Sequence, residues 1–307
     1  MIRGASLALT LALALAACSP GADRGGRNGQ IVDDAGRVHA PTPPRTRVVS
    51  LVPALTETLI AMGAADRLVA RTRYDEAPDV AHLPSVGGGL DPSLEYLAEL
   101  SPELVVAWAS GAGRATLGDA LDEFGVAWYG AAVQTIADFE RHTAQLGLLV
   151  GLDRAADSVV GAVSDGLRSV RESWAGRTPV RVAYVVQAEP FVTVGPGAFL
   201  DSVMAVAGAE NVFRDLLDSW PLVTMEEVVL RDPEYVVLPR VGIGTPDVPP
   251  GGVDPGVARL SDRPAWRAVR AVREGRVISV DGSLFGRPGP RMGEAARYLS
   301  ERLHGGW

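Results

Sequence analysis

The chain has a single cysteine, Cys18, and its neighbours indicate what that thiol can do. One thiolate makes neither an internal disulfide nor a thiolate metal site. It can, however, be alkylated. Cys18 closes the run Leu15-Ala16-Ala17-Cys18, behind an apolar stretch from Ala5 to Ala17 that follows Arg3. A basic start, an apolar core and small residues before a cut are the parts of a secretory signal. The stretch falls short of the roughly 20 residues that cross a bilayer. Residues 1–18 are therefore expected to be an export signal, cut so that Cys18 becomes a lipid-bearing N-terminus. Acyl chains add about 0.8 kcal/mol per buried methylene, so several of them hold a soluble domain at a membrane.

The four histidines, His39, His82, His142 and His304, include no pair at zinc-site spacing, and all four are expected at the solvated surface. No strand leads directly into Gly87-Gly88-Gly89, and Gly242-Ile243-Gly244 runs into a Pro-rich loop. Neither makes a dinucleotide fingerprint. The sequence has no phosphate loop and no nucleophile elbow. Carboxylates are plentiful, but nothing in their order pairs two of them as acid and base. No catalytic residue, catalytic cofactor or metal is assigned. A surface enzyme with an unmarked site stays as the alternative from another class. The formal net charge of −8 speaks against a nucleic-acid partner, which selects a basic face. The 29 basic residues are all arginine, so one Arg in an interesting place means less than usual.

The elements that would position a site read as follows. Ser19 to about Pro44 is rich in Gly, Pro, Asp and Arg, with few large apolar residues. Such a segment buries too little surface to order itself, so residues 19–45 are read as a flexible tether. From Arg47 onward, β-branched runs alternate with helical patterns: Arg47-Val48-Val49-Ser50-Leu51, a helix from Pro53 to Met62, then Leu68-Val69-Ala70 and Leu104–Trp108. That alternation predicts a parallel, doubly wound sheet. An internal repeat then doubles it. Ser93–Trp108 returns as Thr224–Pro239, keeping Glu95 as Glu226, Pro102 as Pro233, Glu103 as Glu234, and two Val pairs. Between the copies, Thr135 with Asp138 opens one helix, and Asp153 caps a second whose apolar positions run from Ala156 to Trp174. About 21 residues at 1.5 Å each make a rod roughly 30 Å long. The expected fold is α/β: two similar lobes, 46–150 and 177–305, with mainly parallel sheets flanked by helices. One long, rigid helix within 151–176 joins them, a cleft lies between them, and closing motions are small.

Arg47-Val-Val-Ser-Leu-Val-Pro-Ala-Leu-Thr-Glu-Thr-Leu59, Tyr74, Leu83-Pro-Ser-Val-Gly87, Pro92-Ser-Leu-Glu95 and Ser101–Trp108 occur in that order. Together they resemble the periplasmic binding proteins of the cobalamin, siderophore and haem importers, over nearly all of residues 46–303. Cys18 and its run resemble the lipobox of bacterial lipoproteins. The resemblance implies an exported, lipid-anchored, monomeric solute-binding protein of an ABC importer, not an enzyme. It would capture a small molecule and hand it to a membrane permease of two pseudo-symmetric halves. The pattern is nearest to the cobalamin-binding members, which implies cobalamin or a related corrinoid as transported ligand. An iron-siderophore or haem remains open, with Tyr74 as the ligand residue for haem. The resemblance carries ligand contact onto Tyr74, Trp108, Phe191, Trp220 and Arg287, and near Gly89 a tryptophan of that pattern is replaced by glycine. Aromatic faces at strand ends suit a large, flat, amphipathic ligand, and Asp281 or Arg287 would meet its polar periphery.

Glu95 and Glu226 each stand two residues after a Ser or Thr cap, where a carboxylate favours the positive helix end by about 0.3–1 kcal/mol. The resemblance gives them a second role, one per lobe, in docking onto arginines of the two permease halves.

Overall fold

The computed structural model describes residues 30–109, 114–240 and 254–305. The expected signal, Cys18 and most of the Gly/Pro loop 242–256 lie outside the described residues. A hairpin, β1 (Ile31–Val32) and β2 (Val38–His39), precedes a sheet of β3 (Val48–Ser50), β4 (Leu68–Ala70), β5 (Leu104–Trp108) and β6 (Trp128–Ala131). Its helices are α1 (Pro53–Ala61), α2 (Leu94–Leu100), α3 (Arg114–Glu123) and α4 (Ile136–Leu149). Helix α5 (Asp153–Ser173) crosses to β7 (Val180–Tyr184), a short hairpin β8 (Gln187–Ala188) and β9 (Phe191–Val192), then β10 (Ala209–Asn211), β11 (Tyr235–Arg240) and β12 (Val277–Asp281). The second set of helices is α6 (Phe199–Val206), α7 (Met225–Arg231), α8 (Pro255–Asp262), α9 (Pro264–Arg267), α10 (Arg270–Arg273), α11 (Gly282–Gly286) and α12 (Met292–His304).

Both large sheets are four-stranded and wholly parallel, in the orders β4-β3-β5-β6 and β10-β7-β11-β12. The two orders are the same topology used twice. The repeat holds down to single hydrogen bonds. Ser93 and Thr224 cap α2 and α7 by accepting from the amides of Tyr96 and Glu227. Both helices stop at a left-handed residue, Ser101 (φ 47°) and Asp232 (φ 43°). Arg47 then donates to the Leu100 carbonyl and Arg181 to the Arg231 carbonyl, while Glu103 and Glu234 accept from the amides of those same arginines. These bonds close the orphan groups at each helix end.

Successive strand residues face opposite ways, and the core divides accordingly. Val49, Val105 and Ala107 point to the outer layer of the first lobe, with Leu97, Leu117 and Leu121. Ala183 and Val236 point to the outer layer of the second, with Leu260 and Trp266. Val48, Leu104, Val106, Val182, Tyr184 and Val237 all point inward to one continuous apolar cluster, which also takes in α1, α4, α5, α6 and α12. Helix α5 lies within that shared interior through Ala156, Val163, Leu167 and Val170. Its far end is pinned: Trp174 donates its indole N–H to the Val206 carbonyl at 2.7 Å and stacks on His304. Asp153 is the first helical residue rather than the cap, which is Leu152. The box at the start of α4 forms as expected, with Thr135 and Asp138 satisfying each other's amides.

Two expectations are corrected here. Residues 30–45 are not a loose tether. Asp34 donates its amide to the Gly130 carbonyl at 3.1 Å, and Asp33 and Asp34 accept from the amides of Gly130 and Ala132, at 2.7 Å each. The hairpin thus covers the free edge of β6 with one backbone bond and two carboxylate–amide bonds, which an apolar count does not register. Nor are the histidines all solvated. His142 is buried, bonded to the Tyr129 hydroxyl and to Asp34 (2.9 Å); His39 meets Asp33 (2.8 Å); His304 lies against Trp174. His82 is exposed, as expected.

Candidate functional site

Parallel strands leave a crevice beyond their carboxyl ends. Here the two sheets open theirs onto each other. A cleft of about 1490 Å³ lies between the lobes, larger than the roughly 300–1000 Å³ of ordinary small-molecule pockets. Its first wall comes from Leu51 after β3, from Arg71 and Arg73–Glu76 after β4, from the 89–91 loop and from Trp108 closing β5. The opposite wall comes from Tyr184 closing β7, Phe199 opening α6, Trp220, Arg240 closing β11, and Asp281 closing β12.

Of the residues expected to bind ligand, Tyr74, Gly89, Trp108, Trp220, Asp281 and Arg287 line this one cleft. Tyr74 and Trp220 stand exposed. Tyr74 carries the Arg73 guanidinium 5.7 Å from its ring, and Arg73 is itself paired to Asp91 at 2.8 Å. The loop bearing Trp220 is tied down where Thr193 and Gly195 donate their amides to the carbonyls of Pro221 and Ser219. Gly89 has a steric cause: a Cβ there would lie 2.4 Å from the Leu51 carbonyl oxygen and 3.4 Å from Trp108 Nε1. The backbone runs where any side chain would collide, so the first lobe has no aromatic at this point. Gly89 stands four residues before the α2 cap and Trp220 four before the α7 cap. One repeat therefore supplies an aromatic where the other supplies none.

Phe191 is corrected. It is 4% exposed and packs edge-on against Trp266 in the outer core of the second lobe, away from the cleft. Arg287 lines the cleft, but its guanidinium is committed. It donates to Glu57 at 2.6 Å and to the Tyr74 carbonyl at 2.6 Å, and Arg291 adds two bonds to the same Glu57 at 3.0 and 3.1 Å. Glu57 belongs to α1, so this is a charge clasp between lobes. Burial alone would lower the Arg291 pKa, but Glu57 outweighs it and holds the group above its ordinary value. Asp281 caps α11, accepting from the Leu284 amide and the Ser283 hydroxyl at 2.8 Å each. Burial pushes its carboxyl up; those donors pull it further down, so it is a carboxylate at neutral pH.

Sequence reasoning missed Glu57, Arg71, Tyr184 and Phe199. Tyr184 had a usable signal, since it ends a strand facing the crevice. Glu57 had none, because its partners lie some 230 positions away. Among the described residues no cluster of His, Cys, Asp and Glu is arranged to hold a metal ion, and no helix is long and apolar enough to cross a membrane. The docking candidates Glu95 and Glu226 lie away from the cleft, both exposed in the first turn of their helices.

Comparison with known proteins agrees with this geometry. The chain is 24% identical over 262 residues to the vitamin B12-binding protein of Vibrio cholerae, covering 85% of this chain and 90% of that one. The crystal structure of the periplasmic vitamin B12 binding protein of Vibrio cholerae superposes with a TM-score of 0.67 at 23% identity, covering 85% of this chain and 97% of that one. The periplasmic heme-binding protein from Roseiflexus sp. RS-1 does so with 0.71 at 22%, covering 84% and 97%. The family model for periplasmic binding proteins matches residues 48–284. With two matched parallel lobes around one cleft and that match over most of its length, the chain belongs to the periplasmic binding protein family, the solute-binding components of ABC importers.

Proposed function

We propose that this protein captures a corrinoid, cobalamin or a close relative, between its lobes and delivers it to a membrane permease. The observation that carries the reading is the cleft: large, and faced by Trp108 from one lobe and Trp220 from the other. Two indoles offer broad apolar area with few rotamers to freeze, which suits a flat macrocycle. Charged groups around them, Asp281 and Arg240 among them, meet a polar rim. The B12-binding relative supports the choice. A haem or ferric siderophore is the second reading, favoured by the exposed Tyr74 phenol on the cleft wall. Titrating the chain without its first 18 residues with cyanocobalamin, haemin and a ferric siderophore separates these by tryptophan fluorescence. Quenching by cyanocobalamin alone, at sub-micromolar concentration, is the expected result. Saturable binding of haemin only, lost in Tyr74→Phe, replaces the corrinoid by haem.

The same reading assigns lipid attachment to Cys18, a signal to the residues before it and a short tether to the residues around 19–29. It assigns permease docking to Glu95 and Glu226, one from each copy of the repeat, against basic groups on the two permease halves. Glu95→Ala with Glu226→Ala is expected to stop uptake at unchanged ligand affinity. A parallel loss of ligand affinity contradicts the assignment.

A further inference from the structure

The two docking helices match cap for cap, yet their exposed residues differ in kind. One turn beyond Glu95, on the same face of α2, stands Glu99; one turn beyond Glu226, on the same face of α7, stands Leu230. Leu230 is 84% exposed. Beside it Val229, 40% exposed, replaces Ala98 of the first copy. Two residues before the caps, the first copy has Asp91 and the second has Leu222, 67% exposed. At two matched positions an acid of the first lobe is thus a leucine of the second.

Within the described chain Leu230 and Leu222 are largely uncovered and Val229 partly so. The other charges of α7 turn inward: Arg231 bonds Glu227 at 2.9 Å, Asp215, and the Val212 carbonyl. That leaves Glu226 as the outward carboxylate of α7, flanked by aliphatic side chains before and after it. Single exposed apolar residues are ordinary, but several gathered about one carboxylate on a helix face mark a contact surface.

Resting on the docking reading above, we propose that the two lobes present chemically different faces to the permease. The first lobe offers Glu95 with Glu99 one turn on, and an Asp91 that is paired to Arg73 at 2.8 Å. The second offers one carboxylate set among leucines, and its partner is a permease surface with a basic group ringed by apolar side chains. Acids put at the two leucine positions would be desolvated against that apolar ring without a partner. Docking at the second lobe therefore gains from apolar burial as well as from pairing its carboxylate.

The test measures binding of the full chain to its permease in nanodiscs, with the thermal midpoint of each variant as a folding control. Leu222→Asp with Leu230→Glu, which gives the second lobe the chemistry of the first, is expected to weaken docking about tenfold or more. Leu230→Met, which keeps an apolar side chain, is expected to stay within about twofold. Unaltered docking of the acidic variant, while Glu95→Ala with Glu226→Ala has lost docking, overturns this inference and leaves the docking reading intact. Unaltered docking of both overturns the docking reading, and the inference falls with it.

Discussion

Gly89 is a residue whose absent side chain matters more than most that are present. Its hypothetical Cβ falls 2.4 Å from the carbonyl oxygen of Leu51, a residue whose own amide is anchored by donating to the Val106 carbonyl at 2.8 Å. Neither partner can swing aside, so Gly89→Ala must lift the 87–91 loop. The expected cost is about 1–3 kcal/mol of stability, read as a lowered urea midpoint. A midpoint unchanged from wild type would show that the loop has slack. The sequence announces a glycine here where the resembling pattern has a tryptophan; the colliding carbonyl belongs to Leu51, just past a strand and 38 positions earlier, and could not be read. The aromatics show the same division. Trp108 and Trp220 were legible through the resemblance, which matches a strand-end tryptophan and a Trp-Pro pair ahead of the second repeat, and both line the cleft. Phe191 was misread because a two-residue strand has no periodicity to say which way its ring turns.

Among the elements, the N-terminal hairpin is the one that composition misjudged. Its attachment rests on polar groups, above all Asp34, which accepts from His142, Arg141 and the Ala132 amide. Burial raises the Asp34 pKa, and these donors more than reverse it, holding the carboxyl well below its usual range. A folded-state value below the unfolded one means that the contribution is complete above the ordinary carboxylate range and lost as pH falls through and below it. Amide exchange should therefore show the hairpin and the β6 edge well protected at neutral pH and loosened first in acid. Asp34→Asn should reproduce the loosening at pH 7, costing about 1–3 kcal/mol of local protection. Equal protection in that variant would assign the attachment to Ile31 burial alone. The paired sheets, by contrast, were legible, because a doubled sequence with matched caps can fold only into doubled elements.

At the scale of the whole molecule the Glu57 clasp and the shared interior set how far the lobes can part. Glu57 is the common acceptor for Arg287 and Arg291, and its side chain is largely buried. Glu57→Gln removes the carboxylate that Arg287 and Arg291 share, leaving Arg287 only Glu76 at 3.9 Å. The expected loss is about 1.5–3 kcal/mol, with a wider cleft seen as a larger radius of gyration by small-angle scattering. An unchanged radius and urea midpoint would reduce the clasp to a surface decoration. The sequence foretold stiffness from the rod α5, but the rod is only one member of a hydrophobic interior that passes beneath both sheets.

That undivided interior has a consequence for signalling between partners. Prising the lobes apart would wet apolar surface at about 25 cal/mol per Å², so empty and loaded molecules are expected to keep nearly one silhouette. A transporter cannot then recognise cargo by a large swing of its carrier. Occupancy has to be announced at the lips of the groove, by the loops around Tyr74 and Trp220 and by whatever part of the passenger protrudes between them.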